Sequence, residues 1–318
     1  PAGRMDTASS RIRVYTFQKI LAKHGIPSVL GYSLKANVFF FQKKVSLQNI
    51  WLARMAKAMG KIVIYDVDDS GEDLWAWVPK KNFQQMAGIA DAVTVCSESQ
   101  LKILTQEGQI EKKGVIIPNA VDYFPEAPVK RKQIKHEKFK LVWFGNGRNF
   151  GLFEKYLKAL HQIPDAEIYV VVSNRFIQDF SARNPLVKFL PWNVDNFISV
   201  LQQFDIACLM HDGDIYDMAK GNNKMISAIT WGVPAVVSRT PEYERTAKEA
   251  GIEDALFSND KELAEAIERL REPAAREKYL EKAQGPVWKL YAPEVIAGQF
   301  VDLVKKIRLE KKAKQSRR

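Results

Sequence analysis

Cysteine is nearly missing from this sequence: Cys96 and Cys208 are the only two in 318 residues. Each adjoins a strand-like run, "DAVTVC" and "DIACLM". Both read as reduced, buried small residues, so no disulfide and a reducing, cytoplasmic compartment are expected. Long apolar runs are missing too. No stretch approaches the roughly 20 residues that span a bilayer, and "PAGRMDTASSRIRV" lacks the apolar centre of a signal peptide. The sequence thus predicts neither a membrane span nor export. Acidic residues are outnumbered, and the formal net charge is +11.

What is present is enough apolar residue for a real core. Hydrophobic residues make up 46% and charged residues 27%, which excludes disorder as the default, and the length suits two domains. The positive charge is concentrated. "KKIRLEKKAKQSRR" (305–318) holds eight basic residues and one acid, and "VKRKQIKHEKFK" (129–140) holds six and one. Such runs suit an anionic lipid surface or nucleic acid. No groove-reading helix or aromatic RNA-binding pattern accompanies them, so nucleic acid is not an expected partner. A basic tail at 311–318, peripheral to the inner face of a membrane, is the sharper expectation, and a solvated tail is the plain one.

Strand-like and helix-like segments alternate along the chain. "PSVLGYS", "ANVFFFQ", "KIVIYDV", "DAVTVCS" and "GVIIPNAVD" are apolar runs separated by helical patterns at "SLQNIWLARMAKAM", near 80–89 and from Ser99. This is the rhythm of a parallel α/β sheet. "YFPEAPVKRKQIKHEK" interrupts it and reads as a linker. A second alternation runs from "FKLVWFGNG" through "AEIYVVVS", "VKFLPW", "DIACLM" and "PAVVS". Phe153, Tyr156, Leu157 and Leu160 form a helical face behind its first strand. "PEVIAGQFVDLVKKIRL" is a last helix. Two αβα domains are the simplest account.

Two stretches carry chemistry. "KIVIYDVDDSGED" (61–73) ends an apolar strand in Asp66, Asp68 and Asp69. Acids so placed suit three chemistries. They hold a metal on a nucleotide-sugar diphosphate, or let Asp66 attack a phosphoryl group as in dehalogenase-type phosphatases, or line a cleft at the carboxyl ends of parallel strands. Capping the next turn is the non-functional alternative. "KGNNKMISAITWGVPAVVS" (220–238) puts Asn222 and Asn223 at a helix start, with Lys220 and Lys224 flanking it. A helix N-terminus offers unpaired N–H groups and partial positive charge, so it receives phosphate. An ordinary capped helix with surface lysines is the alternative.

The second stretch resembles the donor-binding helix of GT-B glycosyltransferases, in particular the retaining family four, at Lys220, Asn223, Lys224, Ala228, Gly232, Pro234, Val236 and Val237. "ADAVTVCSESQLKIL" (90–104), "GVIIPNAVDYF" (114–124) and "LVWFGNG" (141–147) resemble that family's segments in the expected order. The resemblance implies two Rossmann-like αβα domains facing across a cleft. Residues 1–133 would form the acceptor-side domain, with the helix 291–310 crossing back onto it, and 134–290 would bind the nucleotide-sugar. It further implies transfer of a hexose-type sugar from a nucleotide-diphosphate donor to a hydroxyl of a cell-surface or lipid-linked glycan, with no metal and no cofactor beyond the donor. It disfavours the phosphatase, because strands precede Asp66, and the metal-dependent single-domain transferases, which lack the 220–238 pattern.

The resemblance also distributes roles. Asp66, Asp68 and Asp69 become acceptor-side carboxylates and catalytic candidates, and His211 touches the donor sugar or phosphate. Gly145 and Gly147 admit the donor, Arg148 and Arg175 grip the diphosphate, and Trp192 stacks on the base. Arg11 and Arg13 serve the acceptor side. The family's E-x7-E is absent, and its second glutamate falls on Ser227, which is left to hydrogen-bond the ribose. Asp212, Asp214 and Asp217 are possible acidic substitutes. That loss motivates a second reading, an inactive GT-B homologue acting as a binding subunit.

Overall fold

The computed structural model describes all residues except 1–2, 70–73, 77, 109, 111–112, 212 and 317–318. The chain folds as two compact units. Unit 1 comprises Pro1–Ala120, Ala219–Gly221 and Tyr291–Arg318, and unit 2 comprises Val121–Met218 and Asn222–Leu290.

Unit 1 is built on four parallel strands in chain order: β1 (Val38–Gln42), β2 (Ile62–Asp66), β3 (Ala92–Val95) and β4 (Gly114–Ile116). β2 is buried at every residue, as a parallel strand covered on both faces requires. One face is covered by the helices Leu47–Ala58 and Lys80–Ile89, whose Ala53, Ala56, Phe83 and Met86 pack with Val63, Tyr65 and Val93. The helix Leu47–Ala58 starts at a capping box, Ser46 with Asn49.

The other face is covered by the two ends of the chain. The N-terminal helix runs through Ala8–Ser10, a π-helical Arg11–Tyr15 and Thr16–Lys23. The C-terminal helix Pro293–Ser316 carries Ile296, Phe300, Leu303 and Ile307 at helical spacing. These pack with Ile12, Phe17, Ile20, Ile62 and Ile64, and the Phe17 and Phe300 rings lie 4.5 Å apart. Burying those four aliphatic and aromatic side chains is worth roughly 1.5–3 kcal/mol each, so this helix is integral to unit 1.

Unit 2 is a six-stranded parallel sheet in the order β10-β9-β8-β5-β6-β7. The strands are β5 (Phe139–Phe144), β6 (Ala166–Val172), β7 (Lys188–Pro191), β8 (Ile206–Leu209), β9 (Ala235–Ser238) and β10 (Leu256–Phe257). Numbered from β5, this is the doubly wound order 3-2-1-4-5-6. The order reverses between β5 and β8, which pair directly through Leu141 with Ile206 and Val142 with Ala207. Phe153, Tyr156, Leu157 and Leu160 are all buried, on two short helices, Phe150–Glu154 and Leu157–Leu160, and at Tyr156 in the turn between them.

Three expectations are corrected. "PSVLGYS" forms no strand. Val29 is 65% exposed, and Pro27 and Gly31, with φ +107°, bend the backbone out of an extended path. The stretch read as a linker is laid onto unit 2, so the division falls at Ala120 rather than at residue 133. Val129 N donates to Thr230 O, and Gln133 Nε2 donates to Gly232 O. The basic end is also no separate tail as far as Ser316. Lysine, alanine and glutamine continue the last helix, cations suit a helix C-terminus, and Lys311 Nζ is tied to Lys61 O at 2.7 Å. Among the described residues, no helix is long and apolar enough to cross a membrane.

Candidate functional site

The carboxyl ends of the strands decide where chemistry is possible, because open parallel sheets bind ligands there, at the point where strand order reverses. Both units place charged residues at these ends, and each unit's arrangement is distinct.

In unit 1, Asp66 ends β2 and is fully buried. Arg13 Nε donates to both its oxygens, at 3.0 and 2.9 Å, and the second guanidinium nitrogen donates to Oδ1 at 2.6 Å. Thr94 Oγ1 on β3 donates to the same oxygen at 2.6 Å. The remaining Arg13 nitrogen donates to Ile117 O and Asn119 Oδ1, just past β4. Burial alone pulls the Arg13 pKa down, but the Asp66 charge and hydrogen bonds more than offset it and hold the group above its ordinary value. The sequence reading made Asp66 a base or nucleophile and Arg13 an acceptor contact. The structure spends both on one buried bidentate pair that ties the N-terminal helix to β2, β3 and the end of β4. Buried and paired with Arg13, Asp66 has no access to a substrate and is not a phosphatase nucleophile. Arg11 is buried as well, donating to Met5 O.

The neighbouring acids differ. Asp69 pairs with Lys43, and its backbone oxygen accepts from Gln100 Nε2. Asp68 is half-buried, and its Oδ1 is buried with no hydrogen-bond partner among the described residues. Burial pushes its pKa up, against the attraction of Lys43 and with the repulsion of Asp66. Among the described residues, Asp68 is the one of the three acids that has no ion pair and keeps a buried oxygen without a hydrogen bond.

In unit 2, the ends of β5, β6, β7 and β8 carry Gly145, Arg175, Trp192 and His211 in turn. After β5 the chain turns at Gly145 and Gly147. Asn146 Oδ1 accepts from Arg148 N and starts the short helix Gly147–Asn149. A Cβ on Gly147 would run into the Phe176 ring, and one on Gly145 would stand 3.2 Å from Trp143 and 3.4 Å from Lys224 Nζ. Only glycine lets the backbone come this close. Arg148 and Arg175 are exposed, and neither meets a carboxylate among the described residues. The Arg175 guanidinium lies 4.6 Å over the Phe176 ring.

Lys224 sits in the first turn of the helix Asn223–Thr230, and its Nζ donates to His211 Nε2 at 2.9 Å. An ammonium has no lone pair, so Nε2 is the acceptor and the ring is neutral, with its proton on Nδ1. His211 is itself buried and fixed by Ser238 Oγ on its amide and by the Tyr243 ring at 5.8 Å. It therefore positions Lys224, where the sequence suggested a group acting on the donor directly. The structure thus brings Gly145, His211 and Lys224 together at the switch point between β5 and β8.

The other candidates have structural engagements. Asn222 is buried with Nδ2 donating to Thr246 Oγ1 at 2.7 Å, and Asn223 opens the helix half-exposed. Ser227 is buried, and its hydroxyl accepts from Asp122 N at 3.2 Å, so the residue in the glutamate position anchors the 121–124 turn. Trp192 Nε1 donates to Tyr123 OH at 3.0 Å. Tyr123 stacks on Phe197 and holds φ +66°, uncommon for a residue with a side chain. Asp214 accepts from the amides of Tyr216 and Asp217 as a cap for the helix Ile215–Met218. Asp217 lies on that helix, and Asp212 is outside the described residues. Lys220 belongs to the segment Ala219–Gly221, which packs with unit 1.

Sequence reasoning missed Thr94, Tyr123, Ser238 and Tyr243, the residues that hold the candidates. Thr94 was within reach, because a hydroxyl beside an acid-ending strand is a ready donor. Ser238 and Tyr243 act only through long-range packing.

Together these features define a doubly wound α/β unit whose strand order reverses between β5 and β8. No protein-family profile and no curated relative match the sequence. Solved structures do. Anabaena HepE, in complex with UDP-glucose, superposes with a TM-score of 0.65 over 91% of this chain and 88% of its own, at 14% identity. The apo structure of OtsA gives 0.61 over 92% and 76%, at 9% identity. A UDP-forming α,α-trehalose-phosphate synthase from Burkholderia vietnamiensis gives 0.56 over 84% and 72%, at 13% identity. The chain has the GT-B fold.

Proposed function

We propose that this protein is a glycosyltransferase that binds a nucleotide-diphosphate sugar on unit 2 and moves the sugar to a hydroxyl acceptor. One observation carries the reading: Lys224, at a helix N-terminus, is held by a buried neutral histidine beside a glycine turn, at the switch point of a 3-2-1-4-5-6 sheet. Helix N–H groups and an ammonium favour a diphosphate, and favour it more as charge grows on the departing diphosphate. Arg148 and Arg175 add exposed guanidinium groups at the neighbouring strand ends. Trp192, fixed by Tyr123, offers a stacking surface for the base. The relatives of the same fold add support, since HepE was solved with UDP-glucose and with UDP and glucose.

The acceptor reading is a growing cell-surface or lipid-linked glycan, met at the inner face of a membrane, with Asp68 as the carboxylate available to a sugar hydroxyl. The reaction is read as needing no metal and no cofactor beyond the donor. Calorimetry against UDP-, GDP- and dTDP-sugars tests the core of the proposal. Saturable binding of one donor is expected, and binding by none sinks it.

One observation favours a second reading, a binding subunit without turnover: Ser227, in place of a glutamate, is buried and its hydroxyl accepts from Asp122 N. Donor binding without hydrolysis or transfer across a panel of sugar acceptors would select it.

A further inference from the structure

The amino ends of the unit 1 strands hold a feature that the proposed transfer does not use. A cavity of about 550 Å³ opens there, lined by Arg54, Lys57, Lys113, Lys311 and Lys314. Asp91 immediately precedes β3 and Lys113 immediately precedes β4, so the cavity lies at the end of the sheet away from Asp66 and Asp68. Two acids, Asp91 and Glu310, line it too, leaving an excess of three positive charges.

Asp91 is already committed. It accepts from Lys57 Nζ at 2.5 Å, from Val63 N at 2.8 Å and ion-pairs with Lys311 at 3.1 Å. Burial raises its pKa, but these donors outweigh that and hold it below the ordinary carboxylate range. Lys113 rests on the last carbonyls of the helix Lys80–Ile89, Ala87 O and Gly88 O. Burial and the nearby Lys57 charge pull its pKa down, so the cations are crowded together at some cost. Arg54 and Lys314 are exposed at the rim, and among the described residues no carboxylate pairs with either, or with Lys113.

Crowded cations around a concave space are the arrangement a multiply charged anion relieves. We propose that this cavity is a second binding site, for a phosphate-bearing ligand with at least two negative charges, either a free diphosphate or a phosphorylated lipid headgroup. It stands apart from the donor reading of unit 2, and it gives the basic end of the chain a defined partner: Lys311 and Lys314 act as two walls of a pocket.

The experiment titrates the full chain carrying Lys224→Ala, so that unit 2 contributes less to the signal, with pyrophosphate, and sediments it with phosphatidylcholine vesicles containing phosphatidylglycerol. Adding Arg54→Glu and Lys314→Glu, two rim positions, should weaken binding about tenfold or more without moving Tm. Binding of both probes, each lost in the rim variant, identifies a site open to any phosphate. Binding of vesicles alone, lost in the same variant, identifies a headgroup site. Absence of binding to both probes, or binding indifferent to the rim substitutions, overturns the proposal.

Discussion

Each unit gathers charge at the carboxyl ends of its strands, but to opposite ends. In unit 1, Arg13 and Asp66 are fully buried and satisfy each other, with Thr94 filling in. In unit 2, Lys224 donates to His211 Nε2, while Arg148 and Arg175 stay exposed. A charge answered by its opposite in the interior belongs to the architecture, and removing half of it leaves the other half stranded. A guanidinium left exposed at a strand end, as Arg148 and Arg175 are, keeps its field for a ligand. The number of charges at a strand end therefore says little about function, and the partner of each says most of it.

The sharpest way to break this contrast is Asp66→Asn. The Arg13 guanidinium would remain buried with its counter-charge gone, at a cost of roughly 3–5 kcal/mol, read as a fall in the urea midpoint. A loss below about 1 kcal/mol would mean that the pair is not structural and would reopen Asp66 as a functional acid. Lys224→Ala is the mirror experiment. Donor affinity should fall by about 1.5–3 kcal/mol, the range for hydrogen bonds to charged groups, with little change in stability. If Tm drops while affinity holds, Lys224 is the architectural residue and the contrast is reversed.

His211 tests whether positioning is the link. His211→Ala should weaken donor binding by about 1 kcal/mol, roughly fivefold. His211→Gln, whose amide oxygen can accept from Lys224, should restore most of it. Equal loss in both variants would mean that the imidazole itself meets the donor.

Much of this was legible beforehand, and for identifiable reasons. Parallel strands buried on both faces read as continuous apolar runs, so β2, β3, β5, β6, β8 and β9 stood out. β10, two residues in "DALFS", was too short to show a period. The glycine turn and the helix at Asn223 are local patterns, and the sequence displays them. What it could not display is which acid meets which base. Asp66 and Arg13 are 53 positions apart, and nothing near "YDVDD" announces that its first acid is already taken. The same limit hid the partners of Ser227 and His211, Asp122 N and Lys224 Nζ, which the fold brings in.

Asp68→Asn carries the smallest effect and the finest distinction. Burial raises the Asp68 pKa in the folded chain, Lys43 opposes the shift and Asp66 adds to it. A carboxyl with a raised folded pKa favours the fold fully below its unfolded value, about 3.9, and that contribution is lost as pH rises through the folded value. Asparagine resembles the protonated form at every pH. The variant should therefore match the wild type near pH 4 in thermal melts and become the more stable of the two as pH rises towards 7.5. A variant less stable at neutral pH would show instead that the ionised group is used by Lys43, and Asp68 would join Asp66 among the architectural acids. If the gain appears, turnover separates the remaining possibilities. Stability gained while transfer is lost marks a carboxylate kept against the interest of the fold, as functional groups are. Stability gained at unchanged turnover returns the acceptor role to another residue.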